Sequence, residues 1–387
     1  MSAHVGFHYI SPSALPSRSA NSVHVMHQCG ALCEAGMDVT LYAKRTIENV
    51  RDLPVALKEN YGVASSLLNT VTFYSRSNRG DTVRIALMAL KGCISSPGDI
   101  VLSRNLYAAF VLASLFHRPI LFETHQLEYG IRKHLQRIIM TRSWVKTIVI
   151  SNKLLEFLAQ HHGVPVKNPV VLHDAAPAGI IPLPREIRRF ELGLETNEDL
   201  TGWTKVFGYF GHLYSGRGME IIEGMASKLP QCLFLVYGGN ESNVNHCREN
   251  NQLINLRFMG HVAHPVAQRM MRSVDVLLMP YQREVSIGIA KHDTARWMSP
   301  MKMFEYMAAG VPIISSDLPV LREVLDDGAN SLLVTPDDTA AWVKAAQRLI
   351  DDSCLQERLG ENAHRDYLTH YTWLVRAKEL IKVSQSV

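Results

Sequence analysis

Ser299-Pro300-Met301-Lys302-Met303-Phe304-Glu305-Tyr306-Met307-Ala308-Ala309-Gly310-Val311-Pro312-Ile313-Ile314-Ser315-Ser316-Asp317 is the stretch on which the fold turns. Pro300 suits the first turn of a helix and Gly310 suits its end. The apolar run Val311–Ile314 then reads as a buried parallel strand. A helix entered from a loop presents unpaired backbone N–H groups at its start, and these attract phosphate. Lys302 adds positive charge in the first turn, and Glu305, three residues on, shares its face. A carboxylate one turn from a phosphate site is placed to accept hydrogen bonds from a ribose diol. The same residues also fit an α/β core helix with an ordinary surface Lys–Glu pair, and local pattern alone does not separate the two.

Outward from this unit, short apolar strands alternate with helical patterns. In the first half the strands are Val5–Ile10, Val39–Tyr42, Val71–Phe73, Ile100–Ser103, Ile120–Glu123, Thr147–Ile150 and Val170–His173. Helical patterns cover Ser22–Ala35, Thr82–Leu90, Tyr107–Phe116, Ile131–Thr141 and Lys153–Gln160. The rhythm breaks over Ala175–Thr204, which holds Pro177, Pro182, Pro184 and a charged run. It restarts with Val206–Phe210, Leu233–Tyr237, Leu256–Met259, Val276–Met279, Val311–Ser315 and Ser331–Val334. Such alternation predicts an α/β fold of parallel sheets with helices on both faces. The expected domains are 1–175 and 205–370, joined by an interdomain segment 176–204 and followed by a C-terminal helix in 371–387.

A chain of 387 residues exceeds one ordinary core and suits two domains. With 47% hydrophobic and 20% charged residues it reads as a globular protein. A net charge of +4 fits anionic small ligands or a lipid surface and is too weak to argue for nucleic acid. The six cysteines form no CxxC pair and read as reduced thiols. The sequence has neither an 18-residue apolar run nor a signal-peptide pattern, so a cytoplasmic location is expected. The stretch Ile131–Lys146, with five basic residues among apolar ones, reads as a solvated helix face. Peripheral contact with the inner face of a membrane is its other reading.

Several loops carry residue types suited to binding. Gly208-Tyr209-Phe210-Gly211-His212-Leu213-Tyr214-Ser215-Gly216-Arg217-Gly218-Met219 is a strand, a glycine-rich turn and a helix start. Its glycines let backbone approach a ligand, and Arg217 offers a planar donor fork to phosphate oxygens; a plain βα turn with a solvent-facing Arg is the alternative. The loop Ser11–Asn21 is expected to leave the C-terminal end of the first strand, where open α/β sheets bind ligands. Arg18 and Asn21 there are candidates, and capping of the following helix by Ser19, Asn21 or Ser22 is the structural alternative. Arg104 and His125 each follow a strand at the same sheet edge. Gly260-His261-Val262 is a turn after another strand.

The segment Ser299 to about Val334 resembles the nucleotide-sugar signature of retaining glycosyltransferases of the GT-B fold, family 4. Glu305 stands before a small-residue stretch in the pattern AAG-x-P-I-[IV]-x-S-D. The resemblance implies two Rossmann-like domains facing across a cleft, with a final helix crossing back onto the first. It implies that Glu305 binds the donor ribose, that Arg217 contacts the diphosphate, and that His125 faces the transferred sugar. Gly211, His212, Pro300, Met301 and Lys302 join the donor site, and the backbone at Val262 meets the base. Arg18, Asn21 and Arg104 are then acceptor candidates, and Asp174 resembles a structural element between the domains. The chain departs from the family in three places. His212 replaces a second basic residue, Ser17–Ser22 replaces a Gly-Gly pair, and Trp297 stands where the first of two Glu residues is usual. Asp293 and Arg296 are nearby candidates for that missing carboxylate's contact.

The implied activity is transfer of a sugar from a nucleotide-diphosphate sugar to an acceptor hydroxyl, in a front-side reaction. The acceptor is a small molecule, a glycan or a lipid-linked glycan, as in cell-envelope synthesis. No cofactor is expected beyond the donor substrate, and no metal, since the sequence has no DxD or His-rich ligand cluster. A non-hydrolysing nucleotide-sugar epimerase and a non-catalytic sugar-nucleotide-binding subunit are the competing readings. Donor base, sugar, acceptor and oligomeric state are left open.

Overall fold

The computed structural model describes residues 5–77, 80–196, 200–285 and 295–386, so Asp293 lies outside the described residues. The chain divides into two compact units, Met1–Asp174 with Thr372–Val387, and Ala175–Tyr371.

The first unit begins β1 (Gly6–Leu15), α1 (Ala20–Glu34), β2 (Asp38–Arg45), α2 (Leu53–Tyr61), β3 (Leu68–Tyr74) and α3 (Asp81–Ser95). It continues with β4 (Ile100–Ser103), α4 (Leu106–Ser114), β5 (Ile120–Thr124), α5 (Ile131–Met140), β6 (Val145–Val149), α6 (Asn152–His162) and β7 (Pro169–Val171). The sheet is parallel throughout, in the order β3-β2-β1-β4-β5-β6-β7. Helices cover both faces, which is why all five residues of β5 are buried.

The second unit runs α7 (Arg185–Thr196), β8 (Val206–Phe210), α8 (Met219–Lys228), β9 (Leu233–Tyr237), α9 (Glu241–Asn250), β10 (Leu256–Gly260) and α10 (His264–Ser273). Then come β11 (Val276–Met279), α11 (Met301–Ala309), β12 (Ile313–Ser316), β13 (Leu332–Val334), α12 (Thr339–Asp351) and α13 (Ser353–His370). Its parallel sheet has the order β10-β9-β8-β11-β12-β13. Alternate residues of β8 feed two core layers: Val206 and Phe210 pack with Met303, Phe304 and Tyr306, and Phe207 and Tyr209 pack with Phe234 and Trp342. Each fully buried side chain of this size contributes about 1.5–3 kcal/mol. The last helix, α14 (Trp373–Ser384), packs on α1 in the first unit.

Every strand read from the sequence is present, with two differences of consequence. β1 does not end at Ile10. After a bulge following Ile10 it pairs Ala14 and Leu15 with Lys44 and Arg45 of β2, so the expected loop shrinks to residues 16–19. Ser11 and Ser13 are buried, with their hydroxyls 2.8 Å apart, which lets a Ser-Pro-Ser run stay in the sheet. The stretch 176–204, expected to lie between the domains, belongs to the second unit. Ala176 and Leu192 are buried in the same core layer as Val206, and α7 packs against α10.

Strand order reverses between β1 and β4 in the first unit and between β8 and β11 in the second. Ligands of open α/β sheets bind at the carboxyl ends of strands at such points. All six cysteines are free thiols. Among the described residues no helix is long and apolar enough to cross a membrane. On α5 Arg132 is paired with Glu128 at 2.6 Å, and Gln136, Ile139 and Met140 face inward.

Candidate functional site

At the β8/β11 reversal of the second unit, three segments converge: the turn after β8, the turn after β11, and the start of α11. α11 is pinned there by Tyr306. Its hydroxyl accepts from Phe210 N at the end of β8 (2.8 Å) and donates to Leu278 O of β11 (3.4 Å). Pro300 caps α11 with no side-chain hydrogen bond, and Met301 is the first helical residue. Lys302 therefore projects from the first turn. Its Nζ lies 4.2 Å from the ring centre of Tyr209 and 4.8 Å from that of Tyr281. That amine is buried and has no hydrogen-bond partner among the described residues. Burial first, and the Arg217 charge second, push its pKa well below the ordinary lysine value, against the pull of Glu305. Arg217 lies over Tyr281 at 5.0 Å.

Gly211 and Gly218 are where this packing needs glycine. A Cβ on Gly211 would lie 2.8 Å from Lys302 Nζ. Gly218 begins α8 at φ 76° and a Cβ there would meet Pro280 O at 2.0 Å. His212 stacks on Tyr214 at 4.9 Å, and burial together with Arg217 and Lys302 lowers its pKa. Lys302 and Arg217 thus crowd one small volume with His212 beside them; Arg217 lowers the pKa of Lys302, and both lower that of His212. A dianion such as a diphosphate would satisfy all of this at once.

Glu305, on the same face of α11, does not pair with Lys302. Its Oε1 accepts from His264 Nε2 at 2.6 Å, at the start of α10, and that hydrogen bond raises the His264 pKa. Val262 follows β10 and packs partly buried on the core. Trp297 is buried and Arg296 exposed.

In the first unit the β1/β4 reversal carries a second cluster. Arg104, just after β4, donates from Nη2 to His125 Nδ1 at 3.1 Å, just after β5. His125 Nε2 is 3.0 Å from Glu123 Oε1, two residues back on the same side of β5. Arginine can only donate, so Nδ1 is the acceptor and Nε2 carries the hydrogen. Burial, then the Arg104 charge, lower the His125 pKa to about 4, against Glu123. Burial alone would raise the Glu123 carboxyl; the charges of Arg376 and His24 outweigh it and hold it well below the carboxylate range. His24 of α1 lies 2.8 Å from Asp174 and 3.2 Å from Glu123. His24, Glu123 and His125 bring ligand-type atoms within 4.8 Å of one another. Arg376 of α14 already occupies the shared Glu123 oxygen at 2.6 Å, so a metal ion there would have to displace a guanidinium.

The structure therefore brings Arg217, Lys302 and Gly211 together, with Glu305 one turn along α11, and separately brings Arg104 to His125. It does not add Asn21 to that group: its amide donates to Ser13 Oγ at 2.8 Å, and Ser19 caps α1. Arg18 is exposed on the short loop before α1. Sequence reasoning missed Tyr209, Tyr281, His264, His24 and Arg376. The two-residue spacing of Glu123 and His125 on one strand was the available signal for the Glu123 contact.

Residues 204–352 match the family model described as Glycosyl transferases group 1. Over 175 residues the chain is 28% identical to the phosphatidyl-myo-inositol mannosyltransferase of Mycobacterium leprae, covering 44% of this chain and 43% of that protein. The chain thus spans less than half the length of that relative. Its fold is similar to that of sucrose-phosphate synthase from Thermosynechococcus elongatus (TM-score 0.74, 17% identity, 99% of this chain and 98% of that one). It is likewise similar to Anabaena HepE in complex with UDP (TM-score 0.73, 13% identity, 99% and 100%). The two parallel α/β sheets are those of the GT-B glycosyltransferase fold.

Proposed function

We propose that this chain, whose residues 204–352 carry a glycosyl transferases group 1 domain, is a retaining glycosyltransferase that takes its sugar from a nucleotide-diphosphate sugar. The observation that supports this most is the buried Lys302 amine, without a hydrogen-bond partner among the described residues, beneath Gly211, beside Arg217 and at the start of α11. A cation kept dry at a cost in stability is suited to a ligand that brings the missing negative charge. The name of the HepE complex supports a nucleoside diphosphate as that ligand. Glu305, one turn along, holds the ribose diol, with the backbone near Val262 against the base.

In the reaction the bond from the sugar's anomeric carbon to the diphosphate oxygen breaks as the acceptor oxygen attaches on the same face. The acceptor's proton passes to the departing diphosphate. Lys302, Arg217 and the dipole of α11 stabilise the charge that builds there, and this reading calls for no bound metal. Glu123 is committed to Arg376 and is not placed to act as a nucleophile. The first unit binds the acceptor, with Arg104 at its sheet edge and Arg18 on the loop before α1, while His125 beside Arg104 faces the transferred sugar. The mannosyltransferase relative supports an inositol-bearing or other lipid-linked acceptor at a membrane surface.

Titration calorimetry with UDP, GDP, ADP and dTDP tests the donor site, and the absence of heat with all four sinks it. Turnover of UDP-glucose and GDP-mannose, with and without phosphatidylinositol vesicles, tests the reaction. Nucleotide release that requires acceptor supports transfer; epimerised donor, or binding without turnover, replaces it with another reading.

A further inference from the structure

Arg376 sits in the last helix, 253 residues from Glu123 in sequence, yet it is the group that governs this carboxylate. Its Nη2 donates to Glu123 Oε1 at 2.6 Å, its Nε to His173 O at 2.9 Å, and its Nη1 to Gln28 Oε1. Arg376, Glu123 and Gln28 are all buried. The other Glu123 oxygen accepts from Tyr9 Oη at 3.2 Å. The carboxylate is thus held from several sides, with Oε1 facing His125.

We propose that Arg376 is a positioning residue for His125, acting through Glu123 to fix which ring nitrogen of His125 carries the hydrogen. It rests on the reading that His125 faces the transferred sugar. A fixed, ionised Glu123 takes the Nε2 hydrogen and leaves Nδ1 as the ring's one lone pair. That lone pair suits a sugar hydroxyl, accepted in exchange for Arg104. A doubly protonated ring, or one with its hydrogen on Nδ1, would offer a donor there and reject the same hydroxyl.

The groups facing this pair come from every element packed on it. They are Tyr9 of β1, His24 and Cys29 of α1, Arg104 after β4, Asp174, and Arg376 of α14. Arg104 and Arg376 face Glu123 and Asp174, with His24 in contact with both carboxylates. Removing Arg376 withdraws one positive charge, which favours proton uptake by the Glu123–His125 pair.

The test is nitrogen NMR of protein labelled with 15N-histidine, with the His125 signals identified by their loss in His125→Asn. Wild-type protein is expected to show the Nε2-H form at neutral pH, titrating near pH 4. In Arg376→Gln the midpoint should rise by about one pH unit or more. Arg376→Lys keeps a positive charge on a single-pronged group and should fall between the two. Hydrogen on Nδ1 in the wild type overturns the proposal. So does an unchanged midpoint in folded Arg376→Gln, or in Arg376→Lys should the Gln variant not fold. Transfer from UDP-glucose or GDP-mannose is measured separately on the same proteins. If none occurs, the glycosyltransferase reading fails while the NMR result on the pair stands.

Discussion

Replacing Lys302 by Met should make the protein more stable and less able to bind nucleotide. The two side chains are similar in length, so the substitution removes a charge and little volume. The Lys302 Nζ is buried without a hydrogen-bond partner among the described residues, between Tyr209 and Tyr281. An unsatisfied buried polar group costs ~1–3 kcal/mol, more when charged. Contacts with the two aromatic faces return ~0.5–2 kcal/mol of that. The net gain for Lys302→Met is therefore about 0.5–1 kcal/mol, at about 2–4 °C in melting temperature per kcal/mol for a unit of this size. Burial lowers the Lys302 pKa in the folded protein, so the unfolded chain binds more protons there. The variant's advantage is therefore full below the depressed folded value and fades as pH rises toward about 10.4. Loss of one or two charge-assisted hydrogen bonds should weaken binding of a nucleoside diphosphate by about 10- to 150-fold. Thermal melting at several pH values and calorimetry with the best-binding diphosphate check both halves. A Met variant that is less stable than wild type, or that binds the diphosphate equally well, would refute the placement of Lys302 as a dry cation awaiting an anion.

Arg217→Ala should lower affinity for a nucleoside diphosphate by about tenfold or more while barely changing affinity for the nucleoside, since a charged hydrogen bond is lost only with phosphate. Equal small effects in calorimetry would remove Arg217 from the site. His264→Ala should destabilise the protein at pH 6 but not at pH 9. Glu305 raises the folded pKa of His264, so the ion pair contributes fully below about 6.5 and is lost as pH climbs through the raised value. With the imidazole 43% exposed, the effect is held to about 0.5–1 kcal/mol, and equal melting shifts at both pH values would reject it. Gly218→Ala puts a Cβ 2.0 Å from Pro280 O in a left-handed backbone. It should cost at least about 2 kcal/mol in denaturant unfolding, and a loss under about 0.5 would mean the turn relaxes freely.

Much of this architecture could be read before any coordinates, because strands and helices write their period locally. The strands Val206–Phe210, Leu233–Tyr237 and Val276–Met279 have the bounds that their apolar runs mark in the sequence. The α11 unit was legible for the same reason: Gly310, at φ 63°, ends the helix, and an apolar run follows at once. β1 was cut short because Ser11-Pro12-Ser13 looks like a turn. Pairing with β2 beyond a bulge overrides that local signal. Helix α7 reads as a connector because three prolines precede it and a charged run surrounds Leu192, whose burial depends on α10 packing against the helix from elsewhere in the chain.

Order along the chain, then, carries periodicity, caps and the placing of Arg217 in a glycine-rich turn after a strand and of Lys302 and Glu305 at the start of a helix. It does not carry charge balance. Whether Lys302 is paired, whether Glu305 answers to Lys302 or to His264, and which cation holds Glu123 are questions of burial and of partners up to 253 residues away. Electrostatic energy depends on distance in space and on the exclusion of water, and both exist only once the chain has folded.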